Sequence, residues 1–115
     1  MSASLYRMVY VTFDRPEEAR NVAQTVVKER LAACANLRGS GTSIYTWNDA
    51  VQSDEEWVLV LKTTAARVSA LTNRIVELHS YDTPCVLSWE ITDGHAPFLA
   101  WIDEMTAPED ATTAG

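Results

Sequence analysis

The alternation of two sequence periodicities limits what this chain can fold into more than any single motif does. Residues 6–13 are aromatic and β-branched and lack helical spacing, which predicts a strand. From residue 16 to residue 31, apolar side chains recur at steps of three and four, which predicts a helix with one buried face. Asp14 and Pro16 mark the start of this helix, because a carboxylate can accept hydrogen bonds from the free amides and proline is favoured in the first turn. The chain therefore opens with a strand and a helix.

The remainder repeats this unit with one additional strand. In chain order we predict a strand over 32–47, a strand over 57–63, a helix over 65–78, a strand over 84–91 and a short helix opened by Pro97. Gly39 and Gly41 interrupt the first of these strands and indicate a bulge or a bend. The order βαββαβ plus a terminal helix is that of an α+β ferredoxin-like two-layer sandwich, in which helices cover one face of an antiparallel sheet.

Length and tail composition predict one domain. A chain of 115 residues matches the usual domain size of about 100–150 residues, and we assign residues 1–105 to that domain. Residues 106–115 are small and polar without periodicity, which predicts a flexible C-terminal tail. The strands over 6–13 and 57–63 are apolar on both sides, whereas the helices of a two-layer sandwich cover only one face of the sheet. The second face therefore predicts a homo-oligomer.

The charge balance excludes one class of partner. Sixteen acidic and nine basic residues give a formal net charge of −7, and the basic residues are scattered, so no stripe exists that could neutralise phosphates. Nucleic-acid binding is not expected. An acidic surface attracts cations weakly, but it also keeps a protein soluble. No window approaches the ~18 apolar residues of a membrane span, and two cysteines are too few for a disulfide scaffold, so we expect a cytoplasmic protein with free thiols.

Signatures of catalysis are missing from the sequence. The two histidines, His79 and His95, are not placed with a nucleophile and an acid in any local motif, and no Gly-x-Ser-x-Gly segment occurs. Gly39 and Gly41 lack the third glycine of a dinucleotide fingerprint, and no Gly-Lys-Ser or Gly-Lys-Thr segment exists. We predict that the protein is not an enzyme.

Metal binding is the chemistry that the residue types still allow, because thiolates and imidazoles suit copper and zinc. Cys34, Cys85 and His79 have no local ligand spacing, so folding or assembly must bring any site together. Each also has a structural interpretation: a free cysteine is often a small core residue, and a histidine just past a helix can cap its carboxyl end.

A second group of residues could line a ligand cleft. Trp47, Tyr81 and Trp101 supply aromatic surface that serves either a cleft or a subunit interface. Lys62 ends an apolar strand, where its amine can reach water along the strand or hold a small anion. The sequence leaves these alternatives open.

Several segments together resemble the CutA-type divalent-cation-tolerance family. They are Glu-Arg-Leu-Ala-Ala-Cys ending at Cys34, Cys-Ala-Asn-Leu from Cys34, Tyr-Thr-Trp ending at Trp47, Lys-Thr-Thr from Lys62, Leu-His-Ser-Tyr-Asp-Thr-Pro ending at Pro84, and Phe-Leu-Ala-Trp-Ile from Phe98. The resemblance runs from about Val9 to Ile102 in one register. It implies a ferredoxin-like homotrimer similar in architecture to the PII-type signalling proteins, with clefts at the subunit boundaries.

The resemblance also implies a function, a response to divalent metals and especially copper, with Cys34 and His79 at the positions of metal ligands. A small anionic ligand in the intersubunit cleft, held by Trp47, Lys62, His79 and Tyr81, is one alternative, and a ligand-free trimeric scaffold is another. Three positions depart from the family pattern. Val11 stands where some members carry a thiol, Ser80 replaces the usual proline, and Cys85 replaces the usual glutamate.

Overall fold

Four strands and three helices follow one another in the predicted order within the part of the chain that the structure, a computed structural model, describes: residues 5–108. They are β1 (Tyr6–Phe13), α1 (Pro16–Lys28), β2 (Cys34–Trp47), β3 (Ala50–Thr64), α2 (Val68–Leu78), β4 (Val86–Ile91) and α3 (Ala96–Thr106). The predicted α+β ferredoxin-like fold is confirmed. Residues 109–115, which make up most of the predicted tail, lie outside the described residues.

The sheet is antiparallel, with strand order β2-β3-β1-β4. In β1, Val9 lies between Leu61 of β3 and Ser88 of β4. The outer strands of the described sheet are β2 and β4. Strand β2 therefore forms one outer edge at which a second chain could pair.

The core lies between the sheet and the helices α1 and α2. Alternation along β1 directs Val9, Val11 and Phe13 toward the helices, where all three are fully buried. They pack with Leu59 and Leu61 of β3 and with a set of helix residues, Val22, Val26, Leu71 and Ile75. Burial of each such side chain contributes about 1.5–3 kcal/mol to the free energy of folding, so this layer fixes the helices to the sheet.

The opposite face of the sheet, called the open face below, carries the intervening residues of each strand. Met8 and Tyr10 of β1 lie beside Lys62 and Val60 of β3, and these side chains are only half-buried. Leu87 and Trp89 of β4 lie on the same face and are exposed, and the exposed fraction of Leu87 is 59%. This face is the one that the sequence predicts a second subunit to cover.

Strand β3 is longer than the sequence predicts, because it begins at Ala50 and not at residue 57. Residues 41–56 form a two-stranded ribbon, the hairpin arm, in which Trp47 pairs with Ala50 across a turn. Asn48 and Asp49 have φ values of 49° and 63° at this turn, a conformation that suits these two residue types. The shift in register between Arg38 and Gly41 confirms the predicted interruption of β2.

The carboxyl end of α3 is fixed by two arginines, one just after α1 and one just before α2. Arg30 donates to the carbonyl oxygens of Ala107 and Glu104, and Arg67 donates to that of Thr106. These bonds satisfy carbonyls that a helix end leaves without partners. None of the helices within residues 5–108 is long and apolar enough to cross a membrane.

Candidate functional site

A cleft of about 920 Å³ opens between the hairpin arm, the end of β1 and the segment that joins α2 to β4. Its lining includes five acidic residues, Asp14, Asp54, Glu55, Glu56 and Asp82, together with the aromatic residues Tyr10, Tyr45, Trp47 and Tyr81 and the residue Cys85. No lysine or arginine is among the lining residues in the described chain. We call this the acidic cleft.

Strand pairing places the arm's side chains in the cleft. Ser43 pairs with Asp54, and Gly41 pairs with Glu56. A side chain on one strand also reaches the residue two positions from its direct partner, which lies on the diagonal. Along these diagonals the Tyr45 hydroxyl donates to Asp54 and the Ser43 hydroxyl donates to Glu56, the latter at 2.5 Å. The acidic residues are therefore positioned by the hairpin arm.

Glu56 also receives a hydrogen bond from outside the arm. The Tyr81 hydroxyl donates to Glu56 Oε2 at 2.9 Å, while Ser43 donates to Oε1. Burial, together with the bond to Glu56 and its charge, raises the pKa of Tyr81 above the usual range for a phenol. The hydrogen bond to Asp54, with a smaller effect of burial, raises the pKa of Tyr45. Both phenols therefore stay protonated and donate.

His79 lies behind Tyr81 and is only 8% exposed. Its ring stacks on Phe13 with centroids 4.4 Å apart, and Nε2 lies 2.7 Å from the carbonyl oxygen of Thr12. Nδ1 accepts the backbone N–H of Tyr81 at 3.1 Å, which makes Nε2–H the donor to Thr12. Both ring nitrogens are therefore engaged within the chain, and the ring bonds β1 instead of capping α2.

Glu18 lies at the edge of this arrangement. Its Oε2 is 3.5 Å from His79 Nδ1 and accepts both the backbone N–H and the hydroxyl of Ser80 at 3.0 Å. Burial alone would raise the pKa of Glu18, but the bonds from Ser80, with a smaller contribution from Arg15, lower it overall. The ionised carboxylate therefore fixes the start of the segment that carries Tyr81.

This lowered pKa predicts a pH dependence of stability. The folded-state pKa of Glu18 lies below its usual value of 4.5, so its contribution is complete above that value and is lost as the pH falls through the folded-state pKa. In urea titrations from pH 7 to pH 3, Glu18→Gln should be less stable than the parent near neutrality, and the difference should shrink in acid. Glu17→Gln, on the exposed side of α1, is the control; a difference independent of pH would contradict the assignment.

The two cysteines are free and lie in different places. Cys85 lines the acidic cleft, where burial and the charge of Glu56 raise the pKa of its thiol, so the thiol is protonated at neutral pH. Cys34 pairs with Lys62 on the open face, and Lys62 donates to the side chain of Asn36 at 2.7 Å. Neither Cys34 nor Lys62 is part of the cleft lining.

The residues predicted from the sequence thus separate into three groups. Trp47, Tyr81 and Cys85 meet at the acidic cleft, with His79 directly behind it. Cys34 pairs with Lys62 of β3, whereas Thr12, which bonds His79, pairs with Val58 of the same strand. Lys62 and Val58 are four residues apart, so Cys34 and His79 are separated by about 13 Å along the strand direction. Trp101 packs against Phe98 on α3, with centroids 5.5 Å apart, and does not line the cleft.

The acidic residues of the cleft are not among the site residues that the sequence predicts. Asp54, Glu55 and Glu56 are consecutive and precede the predicted strand over 57–63, and a run of acids within reach of tyrosines is a signal for a cation-attracting surface. Within residues 5–108, no three Asp, Glu, Cys or His side chains converge closely enough to hold a bare metal ion. The acidic cleft of a single chain therefore contains oxygen donors for a cation, but the described residues do not complete its coordination sphere.

Comparison with known proteins gives consistent matches over almost the whole described chain. The family model of the CutA1 divalent ion tolerance protein matches residues 7–105. The divalent-cation tolerance protein CutA of Thermus thermophilus is 38% identical over 99 residues, which cover 86% of this chain and 96% of that protein. Protein CutA, chloroplastic, of Arabidopsis thaliana is 37% identical over 86% of this chain and 54% of that protein. The chain likewise spans about half the length of several other curated relatives that it matches.

Solved structures agree with the sequence matches. The divalent ion tolerance protein CutA1 of Ehrlichia chaffeensis superposes with a TM-score of 0.87 at 32% identity, covering 92% of this chain and 99% of that chain. CutA1 of Thermus thermophilus gives 0.86 at 37% identity, covering 90% and 100%. A protein described as periplasmic CutA, from Archaeoglobus fulgidus, gives 0.86 at 29% identity, covering 89% and 99%.

Proposed function

Because this chain belongs to the CutA1 divalent ion tolerance family, we propose that it serves tolerance of divalent cations, copper among them, by binding a cation in the acidic cleft. The observation that carries this proposal is the charge of the lining, which contains five acidic residues and no lysine or arginine among the described residues. Such a cleft concentrates cations and repels anions. A small anionic ligand, the alternative suggested by the sequence, is disfavoured there for the same reason.

The donor atoms favour a cation that keeps part of its water shell. Carboxylate oxygens suit hard and borderline cations, and partial hydration replaces protein ligands that do not converge within one chain. Cys85 can add a thiolate once a metal displaces its proton. His79 would have to lose its hydrogen bonds to Thr12 and Tyr81 to act as a metal ligand, so we assign the carboxylates as the main cation ligands.

We also propose that the protein acts as a homotrimer. The open face carries half-buried and exposed apolar side chains, and β2 is an outer strand of the described sheet at which backbone pairing between copies can occur. A neighbour placed on this face would lie against Cys34 and could complete the ligand set with a second chain's donors. Cys34 remains a predicted soft-metal ligand in that assembly.

A binding role is proposed in place of catalysis. Both nitrogens of His79 are committed to hydrogen bonds, so the ring is not free to act as a general base. The protonated Cys85 thiol is a weak nucleophile. A cytoplasmic location remains a prediction, since one relative is named chloroplastic and another is described as periplasmic.

Calorimetric titration with Cu²⁺, Zn²⁺ and Mn²⁺ tests the proposed function. We expect saturable binding of one cation per chain, weakened at least ten-fold by Glu56→Gln because that change removes a cleft charge and donor. Glu104→Gln, on the exposed side of α3, removes the same charge elsewhere and should leave the affinity unchanged. Equal effects of the two variants would reduce binding to general surface charge, and loss of binding in Cys34→Ser alone would move the site away from the acidic cleft to the surroundings of Cys34.

A further inference from the structure

The hairpin arm has no core of its own, because none of its residues is buried in the single chain. Ile44 and Val51 lie on the side of the arm that continues the helix-covered face of the sheet, and the exposed fraction of Val51 is 74%. Trp47 lies on the other side and is also exposed. A two-stranded ribbon without a buried face is marginally stable in water, so contact with another surface would stabilise the arm.

One side of the arm is a continuation of the open face. Asp54 and Lys62 are eight residues apart on β3, so strand alternation directs both side chains to the open face, about 26 Å from each other. Trp47 pairs with Ala50, which lies on the same face as Asp54. The open face therefore extends from Lys62 at one end to the hairpin arm at the other.

The two ends of this face carry opposite charges that the chain does not neutralise. Asp54 accepts a hydrogen bond from the uncharged hydroxyl of Tyr45, and Lys62 donates to the uncharged side chain of Asn36. Among the ion pairs of residues 5–108, none involves Asp54 or Lys62. The two charges are too far apart to meet within one chain, but a second copy presents the matching charge to each of them.

We propose that the hairpin arm docks on the open face of a second copy of this chain, where Asp54 pairs with the partner subunit's Lys62. On each copy Lys62 lies beside the half-buried Met8 of β1, so the docked arm also covers apolar surface with Trp47. The contact joins two different regions of the chain and can repeat from copy to copy around a closed ring. This inference rests on the proposed homotrimer, and it requires no cation in the acidic cleft.

Charge reversal tests the pairing in urea titrations of metal-free protein, in which light scattering records the urea concentration where the assembly dissociates. Asp54→Lys and Lys62→Glu each set like charges against one another at every contact, so each should lower this concentration by about 1 M or more. Combined in one chain, the two changes restore opposite charges in reverse order. The double variant should therefore dissociate within about 0.3 M of the parent.

Matched variants separate pairing from general effects of charge and from misfolding. Glu17→Lys makes the same change of charge on the exposed side of α1 and should leave the dissociation midpoint unchanged. Asp54→Asn and Lys62→Gln remove the charges without reversing them, so each should shift the midpoint in the same direction by a smaller amount. These two variants decide the result if a reversed charge prevents folding.

Hydrogen exchange measures docking of the arm directly. Amides of residues 41–56 should be protected in the parent assembly, and in Lys62→Glu their exchange should become about ten-fold faster. Lys62 is about 26 Å from Asp54 within one chain, so a purely local effect of this substitution would not reach the arm. Exchange over the arm in Lys62→Glu equal to that in the parent would overturn the docking.

Failure of the docking is distinguishable from failure of the proposed homotrimer. If the parent is a single chain in solution, both are wrong. If the parent is a trimer whose dissociation is unchanged by Asp54→Lys and Lys62→Glu, or if the double variant is no more stable than the single ones, only the docking is wrong. Recovery of the assembly in the double variant, with faster exchange of the arm in Lys62→Glu, supports both.

Discussion

Replacement of His79 by alanine is expected to lower the free energy of unfolding by about 3 kcal/mol or more. The change removes a buried ring that stacks on Phe13 and leaves a cavity in its place. It also leaves the carbonyl of Thr12 and the N–H of Tyr81 without their partner, and each unsatisfied buried group costs about 1–3 kcal/mol. The loss should be visible in urea unfolding of metal-free protein.

His95→Ala is the matched control for this experiment. His95 precedes α3, is exposed, and makes no side-chain capping bond, so its replacement should change stability by less than about 0.5 kcal/mol. A His79→Ala protein as stable as its parent, but unable to bind Cu²⁺ or Zn²⁺, would contradict the structural role. It would instead place His79 directly on the metal, as the family resemblance implies.

A charge on the open face is expected to dissociate the assembly. Leu87 is 59% exposed in the single chain, so Leu87→Asp should leave the isolated fold intact while burying an unpaired charge in any interface formed by this face. We expect the mass measured by light scattering to fall from that of a trimer to that of a single chain. The helical circular dichroism signal should not change.

Val76→Asp provides the comparison for the assembly experiment. Val76 lies on α2 and is 47% exposed, and it is not part of the open face, so the same substitution there should leave a trimer intact. Dissociation by both variants would indicate a general effect of charge. A parent that is already a monomer, or a trimer that tolerates Leu87→Asp, would show that subunits do not associate through the open face.

The fold was accessible from the sequence because its signals are local. Steps of three and four in α1 and α2, and the apolar run of β1, follow directly from which faces are buried. The first half of β3 was missed for a physical reason. Residues 50–56 are mostly polar and exposed, and they are extended because they pair with the other strand of the hairpin arm.

The site was predicted less completely because its contacts join distant parts of the chain. Trp47, Tyr81 and Cys85 were named from residue type alone, and the structure brings them together at one cleft. The bond between His79 and Thr12 spans 67 residues, and no local pattern reveals it. The acidic character of the cleft depends on which face of the arm Asp54 and Glu56 occupy, and that follows from the register of β2 on β3.

The measurement that tests the central claim most directly is anomalous X-ray diffraction from crystals soaked in Mn²⁺, followed by the same experiment on Glu56→Gln crystals. We predict one anomalous peak per chain in the acidic cleft, adjacent to Glu56, and its loss in the variant. A cleft without a peak, or peaks confined to Cys34 and to carboxylates elsewhere on the surface, would contradict the assignment of this cleft as the cation site.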